Sequence, residues 1–517
     1  VSASGNQELA PGQYPDPTRR LLITIPAMLA STMVAVDITI ANVALPHMES
    51  SLSASSEQVV WVLTSYLIAT AIATPLSGWL ASRYGRKLVM LVSVAGFTIA
   101  SALCGAANSL TMILLARALQ GACGAALIPL SQAILLDINP PENHGKAMAI
   151  FAIGSMAGPI IGPTLGGWLT DSLSWRWVFF INIPFGIAAF FAMMAFLPRR
   201  QHRDPTRFDL FGFLALSSAL AAFQLMMDRG EQLDWFESTE IWIYASIVAL
   251  GVYLTIVHMF TARDTFVRPE LFRDRNFAIG SVFSIMLGIV AFAMIPVITV
   301  MMQNTLGYTA LYTGFIGLPR AIGTLVSLLI LPRFISKVDT RLVLFVGMAI
   351  LAAGMLMYTK IDLYVDERAL LWAGFVQGIG GGLIFLPLSV IVFATLPQTL
   401  RNEGAAMFSL TRNIGNAVGI SLLQRELIHH TATSRAHLME GLRPDNPILQ
   451  MNRPDLDLSV TSSALGLSRE VARQAAMVAD VQVYQLVFVL SIAMIPLIIF
   501  LRVAKVRPGA PPLPVME

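Results

Sequence analysis

The sequence predicts an all-α integral membrane protein of two six-helix bundles with two inserted transmembrane helices between them. Of 517 residues, 56% are hydrophobic and 13% charged, and mean hydropathy is +0.69, so the chain cannot present a water-soluble surface. A window of about 19 residues finds apolar runs near 21–45, 58–80, 88–107, 110–136, 147–170, 176–197, 209–227, 240–262, 276–302, 309–332, 341–359, 369–395, 404–426 and 483–503, about 14 spans in all. The third observation is an internal repeat. Gln120-Gly121, Pro129-Leu130-Ser131 and Gly145 to Met148 return as Gln377-Gly378, Pro387-Leu388-Ser389 and Gly404 to Met407, at an offset of 257–259 residues. Spans 4 and 12 run in the same direction, so the halves are parallel, and spans 7 and 8 fall between them.

Charge sets the orientation. Alternate short loops on one side (81–87, 137–146, 198–208, 263–275, 333–341, 396–403) hold 16 Lys and Arg, against 4 on the other side. The positive-inside rule then puts both termini in the cytoplasm and the long loop 427–482 outside. The expected organisation is a polar cytoplasmic tail at 1–20 without a cleavable signal, and a six-helix bundle at 21–200. Two inserted helices follow at 201–262, then a second bundle at 263–503 and a tail at 504–517. A net charge of +3 gives no reason to expect nucleic acid. Cys104 and Cys123 lie in apolar runs without CxxC spacing, so neither disulfide nor metal is indicated.

Span 1 holds Asp37 in the run Val36 to Pro46, the one carboxylate well inside an apolar run. An ionisable group there costs roughly 2.5–3.5 kcal/mol on insertion scales, so it needs a cavity or a partner. Asp37 is the natural proton site; the alternative is a helix-to-helix hydrogen bond through Asp37 and Asn42. Between spans 2 and 3 stands Gly78-Trp-Leu-Ala-Ser82-Arg83-Tyr-Gly85-Arg86-Lys87. Its cations read as a cytoplasmic gate, with Arg86 placed to pair with Asp137 at the end of span 4, or simply as positive-inside charges. In span 4, Arg117 of the run Leu-Ala-Arg117-Ala-Leu-Gln120-Gly121 cannot deprotonate and needs acceptors, which Asp37 or backbone carbonyls would supply.

Span 5 carries Gly154, Gly158, Gly162 and Gly166 at four-residue spacing, with Gly167, Pro159 and Pro163. One helix face is thus smooth enough for backbone contact, and the prolines permit bending. Packing alone is the alternative role. Further on, Arg320 in span 10 and Arg412 in span 13 bring positive charge to the second half, unless Arg412 snorkels to the interface. The polar residues Asn42, Gln120, Gln132, Arg320, Gln377, Arg412 and Asn416 are assigned to a substrate cavity. Three arginines against one aspartate would favour lipophilic weak acids. The loop 427–482 is not low-complexity: Gln424–Glu440 and Ser468–Asp480 have helix-forming composition around the proline-bearing stretch Arg443–Pro454, which suggests a small periplasmic cap.

The Gly78–Lys87 run resembles the first signature of the major facilitator superfamily, with Ser82 where an acidic residue is usual. Arg117 and its neighbours are similar to the second signature, which ties that arginine to proton coupling. The Gly154–Gly167 run resembles the antiporter motif, whose fifth helix packs against the opposite half. With Ser174 to Pro184 and Asp228 to Trp235, the chain resembles the fourteen-span drug:proton antiporters of the EmrB/QacA family, and most of all the EmrB type. The resemblance implies a major facilitator fold and a bacterial inner-membrane exporter of hydrophobic drugs driven by protons. Its implied partners are a periplasmic membrane-fusion adaptor and, through it, an outer-membrane channel, with no cofactor. Uptake symport is the alternative within this fold, and a scaffold without transport the alternative outside it. An enzyme is disfavoured because the spans hold no His/Asp/Glu cluster with metal spacing and no Walker-type loop.

Overall fold

The computed structural model describes residues 14–198, 208–262, 265–333, 338–440 and 461–501, which form helices and turns with no strand among them. Twelve helices are long and apolar enough to cross a membrane. Two more, His144–Ser172 and Arg401–Glu440, occupy the places of spans 5 and 13. Exposed apolar side chains face outward along most of them, to 75% exposure at Phe260 of span 8, as lipid contact requires. Side chains close the helix starts: Ser55 and Gln58 form a capping box on span 2, and Ser109, Asp274, Thr309, Asp339 and Asp366 cap spans 4, 9, 10, 11 and 12.

Spans 1 to 6 pack on one another, span 1 against 5 and 6, and span 4 against 2 and 3. Spans 9 to 14 do the same, with 12 against 10 and 11, and 13 against 9 and 14. The repeat is visible in the packing. Gly121 of span 4 lies on the Tyr66 carbonyl, and the Thr70 hydroxyl donates to the Gly121 carbonyl at 3.2 Å. Gly378 of span 12 lies on the Arg320 carbonyl, and Thr324 donates to the Gly378 carbonyl at 3.0 Å. Likewise Gly158 of span 5 sits on the Ala35 carbonyl, and Gly415 of span 13 on that of Ile285. In each pair a small residue lets two backbones touch, and at Gly121, Gly378 and Gly158 a threonine hydroxyl on the next turn reaches across.

The glycine face of span 5 meets span 1 of its own half, not the opposite half. Gly154 faces Met28 and Thr32, Gly158 faces Ala35, Gly162 faces Thr39 and Ile40, and Gly166 faces Ile40 and Val43. Thr32 and Thr39 donate to the carbonyls of Gly154 and Gly158 at 3.0 and 2.9 Å. Contact with the other half comes from another face of the helix, through Thr164 against Gly314 of span 10 and the Phe151 ring stacked 6.5 Å from Phe385 of span 12. Gly167 faces open space, and the side chains of Pro159 and Pro163 lie outside the described residues.

The inserted pair, Leu210–Arg229 and Thr239–Thr261, attaches through span 7, which packs on span 2 and on span 13. Span 8 touches mainly span 7 and is otherwise exposed. The long loop differs from a separate cap: its two predicted helices are continuations of spans 13 and 14. Arg401–Glu440 runs 40 residues and Thr461–Ala493 runs 33. At 1.5 Å per residue the first is ~60 Å long, about twice the ~30 Å hydrocarbon core. The two helices pack side by side, and residues 441–460 lie outside the described residues.

Gly158→Ala and Gly415→Ala should each lower the thermal unfolding midpoint in detergent, at a cost of about 1–3 kcal/mol for overpacking. Gly167→Ala, where an added methyl meets nothing within 4 Å, should leave it unchanged. Equal midpoints for all three variants would show that the glycine contacts are incidental.

Candidate functional site

Asp37 and Arg117 are both 0% exposed and form an ion pair, Nη1 to Oδ2 at 2.7 Å, deep inside the first half. Both carboxylate oxygens are met. Asp37 Oδ1 accepts from the Gln120 and Asn182 amides, each at 2.8 Å. Gln120 holds the other side of the network: its carbonyl accepts from Arg117 Nη1 at 2.7 Å, and its amide also donates to the Ser101 hydroxyl at 2.7 Å. Arg117 Nε donates to the Val62 carbonyl at 3.2 Å, and the guanidinium lies 4.2 Å from the Tyr66 ring centroid. Spans 1, 2, 3, 4 and 6 thus all contribute. Both kinds of acceptor foreseen for Arg117 are present, and Asp37 takes Asn182 as its amide partner instead of Asn42. Asn42 is exposed and bonds only to its own helix, through the Ile38 carbonyl.

At the end of the bundle that carries the basic loops, a second network crosses between the halves. Gly85 adopts φ +87, a left-handed conformation that closes span 2 and opens span 3 in one residue, and it places Arg86 over the end of span 4. Arg86 bonds to Asp137 at 2.5 Å, and Arg401 from the start of span 13 bonds to the other oxygen at 2.8 Å. Arg86 also donates to the Asn402 side-chain oxygen Oδ1, and the Asn402 side-chain amide donates to the Ser82 hydroxyl at 3.4 Å. The departure at Ser82 is therefore matched by an amide from the opposite half. A Cβ on Gly78 would stand 2.9 Å from the Glu403 backbone, so Gly78 is where the halves touch. Lys87 bonds to the Met194 carbonyl at the end of span 6, and Arg83 is exposed.

The second half encloses a cavity of about 60 Å³ among spans 9 to 12. Its wall is apolar, including Leu287, Phe292 and Phe385, except for Arg320, Thr324 and Gln377. The Arg320 guanidinium has no ion pair or hydrogen bond among the described residues, and the Gln377 side-chain oxygen is buried without a donor there. Phe292 lies in a π-helical turn, Gly288–Phe292, which interrupts span 9 beside the cavity. Arg412 stands 5.9 Å from the rings of Phe292 and of Phe385, behind this wall.

Of the seven residues assigned to a cavity, Arg320 and Gln377 line this one. Gln120 belongs to the Asp37 network, and Gln132 is buried with its amide 3.9 Å from the Met148 sulfur of span 5. Asn416 lies against Gly288, its carbonyl oxygen buried without a donor. Sequence reasoning missed Ser101, Asn182, Arg401 and Asn402 as partners. Asn182 stood in the quoted Ser174–Pro184 run, and its position in an apolar span was the available signal.

The Major Facilitator Superfamily profile matches residues 27–420. The multidrug export protein EmrB of Escherichia coli (strain K12) is 33% identical over 461 residues, 87% of this chain and 88% of that protein. The fatty acid resistance protein FarB of Neisseria gonorrhoeae is 32% identical over 489 residues, 92% of this chain and 95% of that protein. In fold, the crystal structure of the human organic anion transporter MFSD10 (TETRAN) superposes with a TM-score of 0.58 at 13% identity, covering 92% of this chain and all of that one.

Breaking a buried pair from one side leaves an uncompensated charge. Asp37→Ala and Arg117→Ala should therefore each cost about 3–5 kcal/mol of stability, while the double variant should cost clearly less than their sum. Denaturant titrations in detergent give the coupling energy; strict additivity would mean the pair is not an energetic unit.

Proposed function

The chain belongs to the major facilitator superfamily, on its EmrB branch, and from that premise we propose that it exports hydrophobic toxic compounds in exchange for protons. The observation that carries this reading is the buried Asp37–Arg117 pair, a titratable carboxylate bound to a cation that cannot titrate. Protonating Asp37 removes the charge that holds Arg117. The guanidinium then needs a new counter-charge, so spans 1 and 4 have two arrangements selected by one proton. We read the site as bacterial inner membrane, with both termini and the Arg86–Asp137–Arg401 network at the cytoplasmic face. In this arrangement the network latches the halves shut. The cavity of about 60 Å³ is far smaller than the roughly 300–1,000 Å³ of drug-sized sites, so substrate enters when the halves part.

That FarB is a fatty acid resistance protein agrees with Arg320 as the charged group of an apolar cavity. The wall would hold an alkyl or aromatic body and Arg320 a carboxylate, while Arg117 is already neutralised by Asp37. The helical extensions of spans 13 and 14 are the surface we assign to a periplasmic adaptor, and through it to an outer-membrane channel.

Asp37→Asn should keep expression and folding but abolish transport driven by an imposed pH gradient in proteoliposomes, with Asp37→Glu retaining part of it. Undiminished substrate-driven proton movement in the Asn variant would overturn the assignment. Asp137→Asn, which removes the common acceptor of two arginines, should increase spin-label distances between spans 2 and 13 at the cytoplasmic face. Unchanged distance distributions would show that the network does not hold the latch.

A further inference from the structure

One buried carboxylate takes no part in either network. Asp480, on the helix Thr461–Ala493, is 2% exposed, yet it has no ion-pair partner among the described residues. Its Oδ2 accepts from the Thr305 hydroxyl at 3.3 Å, and its Oδ1 is buried with no donor among the described residues. Thr305 ends the π-helical turn Met301–Thr305 of span 9, a local rewinding that turns its hydroxyl toward span 14. The one cation nearby on the same helix, Arg473, is two turns away and is held by the Thr305 backbone carbonyl at 3.0 Å. On the extension of span 13, Arg425 and His430 pair with Glu426 at 3.7 and 3.4 Å. The remaining polar neighbour is Tyr484, one turn along from Asp480. Its ring lies 5.5 Å from that of Tyr358 of span 11, and its hydroxyl is also buried without a partner among the described residues. Tyr358 and Arg320 in turn flank the same residue of span 12, Gly374, whose Cβ position lies 3.4 Å from the Tyr358 hydroxyl and 3.6 Å from the Arg320 Cβ.

We infer that Asp480 is a second proton-binding site, in the opposite half from Asp37, connected to the cavity through Tyr484, Tyr358 and Arg320. The two carboxylates are built for opposite resting states. Asp37 has a cation and two amide donors, which together hold a negative charge. Asp480 has one hydroxyl for two oxygens, and a buried ion so poorly met costs several kcal/mol. A proton on Oδ1 removes that cost and gives the group a donor of its own. When the proton leaves, a negative charge appears in the half that holds the uncompensated Arg320. The potential at the cavity wall then falls, so a cation or neutral molecule is accommodated better and an anion less well. The consequence for the transport cycle rests on the exporter reading; the proton site itself does not.

The test is pH-difference infrared spectroscopy of the full-length protein in lipid nanodiscs. The expected result is a carboxylic acid carbonyl band that disappears as pH rises, is lost in Asp480→Asn, changes frequency in Asp480→Glu and persists in Asp37→Asn. Thr305→Val, which removes the one donor to the carboxylate, should move the band's disappearance to higher pH, and Arg320→Gln should move it the same way. Should Asp480→Asn fail to fold, the Glu and Thr305→Val variants read the same band. An unaltered band in correctly folded Asp480→Asn, or titration insensitive to Thr305→Val and Asp480→Glu, would overturn the proposal. Because no transport is measured, the site would stand even if the exporter reading failed. Conversely, loss of gradient-driven transport in Asp37→Asn would uphold that reading whatever the infrared result.

Discussion

An ion can be kept in a bilayer-spanning bundle only if other groups replace its water, and the first half is organised around that requirement. Asp37 and Arg117 neutralise one another, but neutralisation leaves further lone-pair and N–H directions to be met. Gln120, Asn182 and the Val62 carbonyl meet them, and each comes from a fixed position on a different helix or helical turn. Five spans are thereby tied to one point. Moving any one of them breaks a hydrogen bond in a medium where no water takes its place, so the first half behaves as a unit.

The second half keeps the same backbone scheme but not the same charges. Gly121 on Tyr66 and Gly378 on Arg320 are equivalent contacts in the two bundles, so Arg320 stands where the first half has an aromatic residue. Without a carboxylate opposite it, that arginine faces a cavity instead of closing one. Symmetric scaffolds with unlike polar contents give the protein one sealed ion pair and one open guanidinium. The halves meet through a few identifiable contacts, Arg401 on Asp137 and Arg86 on Asn402 at one end and Thr164 against Gly314 on another seam.

Much of this was legible in the sequence, for physical reasons that differ by residue. Asp37 and Arg117 were conspicuous because a charge in an apolar run is expensive, and the repeat was conspicuous because Gly-to-backbone contacts demand small residues at fixed spacing. The glycine stripe of span 5 shows the limit of periodicity. Spacing identifies a face but not the neighbour it meets, and the neighbour was span 1. Arg401 and Asn402 looked like ordinary loop residues, since nothing in a linear reading brings them within reach of Asp137, Arg86 and Ser82. Asp480 fell just before the apolar run of span 14 and so seemed to belong to the long loop. Only the packing of that helix on spans 11 and 13 and on the end of span 9 shows it to be buried.

The continuous helix of span 13 begins at the residues that bind Asp137 and Ser82 and ends 40 residues later, well past the opposite face. An unbroken α-helix is stiff over that distance, so it acts as a lever whose short arm is seated in the charged contact between the halves. A tilt of about 5° at that seat swings the tip, ~60 Å away, by about 5 Å. Span 14 lies alongside and stiffens the arm. Any change at the Arg401–Asp137 ion pair would thus be felt as a lateral displacement at the far end of the same helix, with no diffusing messenger between them.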